Sequence, residues 1–484
     1  MCHTLAVKIT TKLKDESMAK SRKKTTTVAK IEAKETQHSR FLLLDSRLIA
    51  STSNAVLKLG CVKKHDENPL FTEEKPWEQR FDNLYGNVYF DTEQDLYKCW
   101  YSPFIVAHSA KGISSEKRLK QPFTGHKNQE MGICYATSKD GITWHKPTLD
   151  LVEYDGSCAN NIVWRGPHGA GIFKDPREPD DNRRYKTIFR GLNVGFSKDG
   201  VNWSKAVKLQ GIEPPGDTHN FALWAPTLNK FVGFTRTWRR SDKPLIGQES
   251  KTNHNWIRQV ARIESHDFTH WSAAEPVLEG KSQELQTYSM PVFYHAGIYL
   301  GLLVIHDQKS DRAWTELAWS PDTTEWQRIE PGKAFIGCSE TELDYDFGCV
   351  YACANPVFLE GEIRLYYGGS DWLHFGWREG CLALATLRPD GFAGFEQATP
   401  GEPANVTTTT FLYSGENIAI STDIAPGGSL EFKLLSAKDN VLASAELNRT
   451  TTDERIFQEH NIAHGDVYFE FTLKSAKLYS FVLE

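Results

Sequence analysis

A short motif that begins with Ser, has Asp two residues later and ends on Trp recurs along the chain and constrains its fold more than any other feature. A degenerate copy is centred on Asp390, and the four complete copies are residues 138–144, 197–203, 265–271 and 320–326. Their aspartates are 59, 68, 55 and 68 residues apart. Asp-Gly, found in three copies, supplies the positive φ angles of a tight turn, and the aromatic residue that follows returns the chain to a buried face. Repeats of this length indicate one small sheet per copy.

Each copy follows a pair of apolar stretches that flank a polar turn. These pairs lie at residues 88–101, 171–189, 222–236, 290–303 and 354–367. A hairpin, a third strand and the Asp turn together describe the four strands of one propeller blade, and a blade buries both of its faces only when neighbours close the ring. The repeat therefore predicts a five-bladed β-propeller over residues 80–396. A large β-sandwich with a fortuitous repeat is the alternative.

The pattern changes after a polar, Pro-containing stretch at residues 397–410. Apolar and polar residues then alternate with a period of two, as in residues 430–434 and 467–473, which is typical of strands with one buried face. We expect a C-terminal β-sandwich over residues 397–484, so that the fold class is all-β. Residues 41–79 are expected to supply a lead-in strand and a segment that wraps the propeller.

Residues 1–40 differ from the rest of the chain in charge. They carry ten Lys or Arg and four Asp or Glu, a net charge of +6, whereas the whole chain of 484 residues has a formal net charge of -6. The segment lacks the apolar stretch of a secretory signal. It is interpreted as a disordered basic leader, or as the product of a start codon placed too early with Met18 as a second candidate. A nucleic-acid or targeting role for residues 22–24 is the alternative, and a cytoplasmic location is the default.

Composition excludes several classes of protein. The longest apolar runs, residues 41–44 and 301–305, are far shorter than the roughly 20 residues that span a bilayer, and the net negative charge argues against a broadly basic nucleic-acid-binding face. No membrane or nucleic-acid partner is therefore expected. The nine Cys include no C-x-x-C pair, so zinc-ribbon and thioredoxin sites are not expected and free thiols are the default. Fourteen Trp, seventeen Tyr and twenty-six Phe favour strands and a surface on which sugars stack.

The repeats, the propeller-then-sandwich order and the tripeptide Lys174-Asp175-Pro176 resemble the five-bladed propeller glycoside hydrolases of families 32 and 43, specifically family-32-like proteins with a C-terminal β-sandwich. The resemblance covers residues 41–484. It implies cleavage of a glycosidic bond in an oligo- or polysaccharide, with carbohydrate as the partner; no cofactor is expected. The Trp-x-Asn-Asp-Pro-Asn-Gly motif of family 32 is replaced here by Phe81-Asp82-Asn83-Leu84-Tyr85-Gly86, and the family's Glu-Cys dipeptide is absent. Asp175 is assigned to a structural turn, because it occupies the hairpin position that Asp91 has in the first repeat.

The resemblance also implies where the catalytic carboxyl groups lie. Enzymes of families 32 and 43 place an acid near the start of the inner strand in several blades. In this chain the corresponding positions of four blades hold acids, namely Asp82, Asp217, Glu284 and Asp346, whereas the second blade offers only two Asn at residues 160–161. Glycosidic cleavage needs one protonated and one ionised carboxyl group, and convergence of acids raises the pKa of one of them. Asp82 is predicted to act as nucleophile or base and Glu284 or Asp346 as proton donor, with Asp217 orienting substrate hydroxyls or raising the donor's pKa.

Several side chains near these acids are candidates for binding a sugar. Tyr85 and Tyr288 are expected to stack on a sugar face. His219 and His374 are expected to bind hydroxyl groups or to take part in acid–base chemistry.

Two arginines of the third repeat, Arg236 and Arg258, have two interpretations. They either hold an anionic substituent such as a uronate or a sulfate, for which a guanidinium has bidentate geometry, or they bridge strands. The chain has no nucleophile elbow, phosphate-binding loop or His-Glu-x-x-His motif, and no metal ligand is assigned. Because fold does not fix function, a non-catalytic carbohydrate-binding or protein-docking propeller is the alternative to a glycoside hydrolase.

Overall fold

The computed structural model describes residues 39–212, 216–242, 256–457 and 465–484. The predicted basic leader lies outside these residues, apart from Ser39 and Arg40. Within the described ranges the helices are all short: α1 at Ser115–Lys120 and two 3₁₀ turns at Ser46–Leu48 and Asp181–Arg183. The other regular elements are strands, so the prediction of an all-β fold is confirmed.

The strands form sheets that follow one another along the chain. Five strands precede the repeats: β1 Ser39–Leu42, β2 Ile49–Ser53, β3 Ala55–Leu59, β4 Lys63–Lys64 and β5 Phe71–Thr72. The first sheet contains β6 Asn87–Asp91, β7 Leu96–Tyr101, β8 Phe104–Val106, β9 Glu130–Ser138 and β10 Ile162–Arg165. The second contains β11 Gly171–Lys174, β12 Tyr185–Phe189, β13 Asn193–Ser197 and β14 Val207–Lys208. The third contains β15 Phe221–Ala225, β16 Lys230–Arg240, β17 Trp256–Ser265 and β18 Glu275–Glu279.

Two larger sheets complete the fold. The fourth sheet contains β19 Leu285–Ser289, β20 Val292–His295, β21 Ile298–Asp307, β22 Arg312–Ser320, β23 Gln327–Ile329, β24 Cys349–Ala352, β25 Val357–Phe358, β26 Ile363–Ser370 and β27 Gly380–Leu387, together with β4 and β5. The C-terminal sheet contains β28 Ala393–Gln397, β29 Ala404–Thr408, β30 Phe411–Tyr413, β31 Ile418–Ser436, β32 Val441–Leu447, β33 Thr451–Arg455 and β34 Gly465–Leu483, together with β1, β2 and β3.

The fourth sheet consists of two antiparallel groups. A single parallel pairing, of Ala313 in β22 with Cys349 in β24, joins them. The first group, which we call the fourth sheet's N-terminal half, is β19–β23; the second, its C-terminal half, is β24–β27 with β4 and β5. The first three sheets and these two halves therefore give five antiparallel groups, one for each copy of the repeat.

The strands before the repeats complete two sheets that later parts of the chain form. β1, β2 and β3 pair with β34, β29 and β28, whereas β4 and β5 pair with β27. An edge strand leaves backbone N–H and C=O groups unpaired, and an added strand satisfies them. The segment that was expected to lead in and wrap is thus divided: residues 39–59 join the C-terminal sheet, and residues 63–72 join the fourth.

The Ser-x-Asp motif forms the same turn in its four complete copies. In the first copy the Ser138 hydroxyl accepts the Gly141 N–H at 2.8 Å, and Oδ1 of Asp140 accepts the N–H groups of Ile142 and Thr143 at 2.8 and 2.7 Å. The same bonds recur in the other three. The residue after the Asp always has a positive φ: 74° at Gly141, 81° at Gly200, 64° at Phe268 and 73° at Thr323. The hydrogen bonds therefore impose this conformation even where the residue is not Gly.

Each repeat after the first is bound by a side chain from the sheet or half-sheet that precedes it. These inter-sheet bonds are Trp100 Nε1 to Gly200 O at 2.6 Å, Arg183 Nη2 to Asp267 O at 3.0 Å, Arg262 Nε to Thr323 Oγ1 at 2.8 Å and His295 Nε2 with Asp390 Oδ1 at 3.1 Å. A fifth bond, from Tyr366 OH in β26 to the carbonyl of Gly141 at 2.8 Å, connects the last half-sheet to the first turn. The order of the bonds along the chain thus returns to its starting point.

Strands near the start of each group also contact strands of neighbouring groups. β6 contacts β11, β11 contacts β15, β15 contacts β20, and β25 contacts β6. Asn87 in β6 connects three of these segments: its Nδ2 donates to Ala170 O at 2.7 Å, its Oδ1 accepts the Ile172 N–H at 2.9 Å, and it forms an isolated bridge with Ala354. The segments that lead into these strands, which hold most of the candidate residues, are thereby brought together.

Candidate active site

Asp82 lies in a strained segment that leads into β6. The φ angles of Asp82, Leu84 and Tyr85 are 55°, 60° and 46°, in the left-handed region that few residues other than Gly adopt. The segment is held by hydrogen bonds from Leu84 N–H to Phe81 O and from Ser102 N–H to Leu84 O, both at 2.8 Å. Such strain persists only where the surrounding structure enforces it, and it is concentrated at functional sites.

The carboxylate of Asp82 is held between two buried arginines. Arg378 Nη2 donates to Oδ1 at 2.7 Å, and Arg80 Nε donates to the same oxygen at 3.1 Å. The arginine side chains are 1% and 3% exposed, whereas that of Asp82 is 20% exposed. Burial raises the pKa of Asp82, but the charges of Arg378 and Arg80 outweigh this effect and keep the pKa below its ordinary value. Asp82 is therefore an ionised carboxylate, and it is the part of this ion cluster that a ligand can reach.

Asn83 connects this ion cluster to two tyrosines. Its Oδ1 accepts a hydrogen bond from Arg378 at 2.9 Å, and its Nδ2 donates to the hydroxyls of Tyr85 at 2.8 Å and Tyr288 at 3.1 Å. One polar network therefore runs from Asp82 through Arg378 and Asn83 to Tyr85 and Tyr288, both of which the sequence predicted to stack on a sugar.

Three histidines pack against these tyrosines. The rings of His168 and His219 lie 5.2 and 5.4 Å from that of Tyr85, and the ring of His374 lies 5.0 Å from that of Tyr288. Burial lowers the pKa of all three, to about 3 for His219 and well below 6.5 for His374. The imidazoles are therefore neutral near pH 7 and suit hydrogen bonding to uncharged hydroxyl groups.

Arg236, in β16, contacts Tyr288 directly. Its Nη2 donates to the Tyr288 carbonyl at 2.8 Å, and its guanidinium carbon lies 4.4 Å from the centre of the Tyr288 ring. The Thr218 hydroxyl donates to the same carbonyl at 2.7 Å. The five predicted sugar-binding residues thus lie in one cluster with Asp82: Tyr85, His219, Arg236, Tyr288 and His374.

Asp217 lies close to this cluster but is more open. Its side chain is 46% exposed, and its Oδ1 lies 3.5 Å from Nε of Arg190. Burial lowers the pKa of His168, and the charges of both Asp82 and Asp217 act in the opposite direction. Asp217 directly precedes Thr218 and His219, which contact Tyr288 and Tyr85.

The other two predicted acids have different surroundings. Glu284 is half-buried. Its backbone carbonyl, and not its side chain, accepts the Gln308 N–H at 2.8 Å. Asp346 is fully buried: Nζ of Lys64 lies 2.6 Å from its Oδ2, and the Tyr367 hydroxyl donates to the same oxygen at 2.8 Å. Because Lys64 belongs to β4, this ion pair connects the added strand to the rest of the fourth sheet. None of the contacts that the structure describes for Asp346 involves Asp82 or its arginines.

Sequence reasoning missed both arginines of the ion cluster. Arg80 stands two residues before Asp82, but Arg378 is 296 residues away along the chain. A buried arginine is expected to pair with a carboxylate, yet no local pattern indicates which one. The pairing depends on how the segment before β27 passes the segment before β6.

Glu73 was also missed, although it connects the same two segments. Its Oε1 accepts the N–H of Phe81 at 2.6 Å and the N–H of Gly380 at 3.0 Å. Burial raises the pKa of Glu73 to about 8, which the two hydrogen bonds only partly offset. The protonated side chain therefore holds the backbone beside Asp82 against the backbone beside Arg378.

The insertion at residues 107–129, between β8 and β9, packs over Arg80. The Phe123 ring lies 4.1 Å from the guanidinium carbon of Arg80 and 5.0 Å from the Trp377 ring. Arg118 in α1 donates to Asp371 at 2.8 Å and to Glu379 at 3.1 Å. The insertion therefore covers the segment that carries Arg80 and is tied to the one that carries Arg378.

The other described residues were compared with a metal site, a catalytic Asp175 and a membrane-spanning helix. They contain no group of three or more His, Cys, Asp or Glu that could hold a metal ion. Asp175 makes the contacts of a turn residue, accepting the Arg177 N–H at 3.1 Å and lying 3.2 Å from Nζ of Lys186. Among the described helices, none has the length and apolar character needed to cross a membrane.

Comparison with solved structures finds glycoside hydrolase-like proteins of low sequence identity. The β-1,2-mannobiose phosphorylase from Listeria innocua, solved with β-1,2-mannobiose, is 15% identical; the match covers 68% of this chain and 96% of that one, with a TM-score of 0.45. A glycosyl hydrolase from Bacteroides ovatus is 13% identical, over 67% of this chain and 93% of that one, with a TM-score of 0.45. An N-acetylgalactosamine deacetylase from F. plautii, in complex with blood group B trisaccharide, is 13% identical, over 69% and 96%, with a TM-score of 0.42. No protein-family model and no curated protein matches the sequence.

Proposed function

We propose that the protein is a glycoside hydrolase that cleaves a glycosidic bond in an oligo- or polysaccharide, with Asp82 as nucleophile or base. The observation that carries the proposal is an ionised carboxylate, 20% exposed, beside two buried arginines and a cluster of tyrosine and neutral imidazole side chains. An ionised carboxylate is what hydrolysis requires of its nucleophile or base. Tyrosine rings and uncharged polar groups are the chemistry that binds a sugar.

The proposal includes an architecture. The five antiparallel groups are the blades of a five-bladed propeller at residues 80–396, with β4 and β5 completing the last blade, and the C-terminal sheet is a β-sandwich at residues 397–484 to which β1–β3 and β28 are added. Support comes from the inter-sheet bonds, whose order returns from Tyr366 to the first turn at Gly141. In a propeller the inner strands begin around one axis, which accounts for the meeting of residues as distant in sequence as Asp82 and Tyr288.

We assign the role of proton donor to Asp217. It directly precedes Thr218 and His219, which contact Tyr288 and Tyr85, and its open side chain is available to a leaving group. Glu284 is the second candidate because it directly precedes β19, the strand of Tyr288. Asp346 receives no catalytic role, since its ion pair with Lys64 suits an anchor for β4.

The test is a glycan screen of the purified chain, followed by measurement of turnover for variants. Asp82→Asn is expected to lower turnover by about 10³-fold or more, and Asp217→Asn by about 10²–10⁴-fold. With an aryl glycoside whose leaving group needs no proton, the loss for Asp217→Asn should shrink whereas that for Asp82→Asn should not. Glu116→Gln, at a side chain that is 76% exposed in α1, is the control. Near-normal turnover of Asp82→Asn would refute the proposal.

A non-catalytic carbohydrate-binding or protein-docking propeller is the second candidate. It is favoured by the second repeat, which offers Asn160 and Asn161 in place of an acid; their side-chain amides donate to the carbonyls of Val152 and Tyr135, both at 2.7 Å. Binding of a glycan without cleavage, unchanged in the Asp82→Asn variant, would select this candidate.

A further inference from the structure

The third sheet brings two arginine side chains to the same two aromatic rings. The guanidinium carbon of Arg236 lies 4.4 Å from the centre of the Tyr288 ring and 5.4 Å from that of Trp238, and the corresponding distances for Arg258 are 5.4 and 4.9 Å. Both arginines are buried, at 3% and 5% exposure. Arg258 also donates from Nη1 to Gln286 Oε1 at 3.3 Å. Both guanidinium groups therefore lie against the same two rings, in a poorly solvated environment that strengthens the attraction of Arg236 for an anion.

Arg236 also lacks a carboxylate partner among the residues that the structure describes. There, its guanidinium makes one hydrogen bond, from Nη2 to the Tyr288 carbonyl, and its Nε is buried without any. Arg80 and Arg378, by contrast, share the carboxylate of Asp82. A buried charge without a counter-ion is costly to keep in a folded protein, and a bound anion removes that cost.

These arginines adjoin the candidate active site through Tyr288. The Tyr288 hydroxyl accepts a hydrogen bond from Asn83, which in turn accepts one from Arg378, the partner of Asp82. Tyr288 and Trp238 are only half-buried, so part of each ring is open to a ligand. Tyr288 therefore contacts Arg236 directly and is connected to Asp82 through Asn83 and Arg378.

We propose that Arg236, together with Arg258, forms an anion subsite that binds a carboxylate or sulfate group of the saccharide substrate. The substrate class is then oligosaccharides that contain uronic acid or sulfated sugar units. A planar guanidinium presents two parallel N–H groups, which match the paired oxygens of both anions. This inference rests on the proposed function in taking the anion to be part of a sugar, but its test needs no turnover.

The experiment measures binding to the full chain by calorimetry and thermal shift, at constant ionic strength. The probes are D-glucuronate and inorganic sulfate, with D-glucose and chloride as controls. We expect glucuronate or sulfate to bind and both controls to have no effect. Arg236→Gln should weaken that binding at least tenfold. Arg239→Gln should not, because Arg239 lies on the same strand but is 45% exposed and paired with Glu279. Arg236→Lys, which keeps the charge and loses the paired N–H groups, should bind the anion with intermediate affinity. It replaces Arg236→Gln as the test variant if Arg236→Gln does not fold.

Three results would overturn the inference. The first is equal affinity of the wild type and Arg236→Gln for both anions. The second is binding of glucose as tight as that of glucuronate. The third is cleavage of a neutral oligosaccharide that requires inorganic phosphate and is lost in Arg236→Gln, since the anion would then be a co-substrate and not a substituent. If anion binding depends on Arg236 but no cleavage depends on Asp82, only the proposed hydrolase function is refuted. If cleavage depends on Asp82 but anion binding does not depend on Arg236, only the anion subsite is refuted.

Discussion

Arg378 donates a 2.7 Å hydrogen bond to the carboxylate of Asp82 across 296 residues of sequence. The same guanidinium is held in place by Asn83 at 2.9 Å and by the Ser370 hydroxyl at 3.1 Å. The pair therefore joins the segment after β26 to the segment before β6. The candidate site is complete only when the last repeat lies against the first.

Arg378→Gln is expected to move the acidic limb of the pH–rate profile to higher pH. Burial raises the pKa of Asp82 and Arg378 is the largest influence that lowers it, so the loss of this arginine raises the pKa and the base becomes protonated at a higher pH. Arg378→Lys keeps the charge and should retain more activity in acid. The measurement is kcat/KM against pH with a substrate from the glycan screen. An acidic limb that does not move would mean that another group titrates.

Glu73→Gln is expected to remove a pH dependence of stability. Burial raises the pKa of Glu73 to about 8, whereas a Glu in the unfolded chain titrates near about 4.3. Between these two values the unfolded chain has lost a proton that the folded chain keeps, so the free energy of unfolding falls as pH rises. The amide of the variant keeps an oxygen to accept from Phe81 and Gly380 and has no proton to lose. Urea unfolding at several pH values between about 5 and 8 checks this, and parallel curves for the two proteins would contradict it.

Lys64→Met is expected to lower stability without changing turnover. The substitution leaves the fully buried Asp346 without its cation; because Lys64 is 32% exposed, we expect a loss of about 2–3 kcal/mol, less than for a fully buried pair. The double variant in which Asp346 is also replaced by Leu should recover much of the lost stability, since neither charge of the pair is then present. If Lys64→Met or Asp346→Asn abolished turnover in a folded protein, the sequence-based assignment of Asp346 as a catalytic acid would be restored.

Tyr366→Phe is expected to weaken the contact that connects the last half-sheet to the first turn. It removes the hydroxyl that donates to the Gly141 carbonyl at 2.8 Å in a buried setting, at a cost of about 1–3 kcal/mol. Tyr468→Phe is the matched control, because its hydroxyl bonds to Asp439 in an exposed position and should change stability by less than about 0.5 kcal/mol. Equal effects of the two substitutions on urea unfolding would argue against a role for Tyr366 in connecting the two groups.

The turns could be predicted from the sequence because their chemistry is local. Ser138, Asp140 and the three N–H groups that they accept lie within six consecutive residues, so one short pattern specifies the whole hydrogen-bond set. The all-β class followed from the repetition of that pattern and from the period-two alternation after residue 410. Which sheets residues 39–72 would join did not follow, because edge strands pair according to which sheet lies nearby and not according to their own sequence.

The candidate acids also show what the sequence could predict and what it could not. By sequence, Asp82 and Asp346 are equivalent: each is an acid shortly before a strand that begins a repeat. In the folded chain Asp82 meets Arg378 and remains partly exposed, whereas Asp346 meets Lys64 and is sealed from solvent. Burial and the charge of a partner set the state of a carboxyl group, and both depend on neighbours that are hundreds of residues away in sequence. The sequence by itself determined the repeated turns and strands of this protein; only the packing of segments that are distant in sequence decided which charges would meet and which would face a ligand.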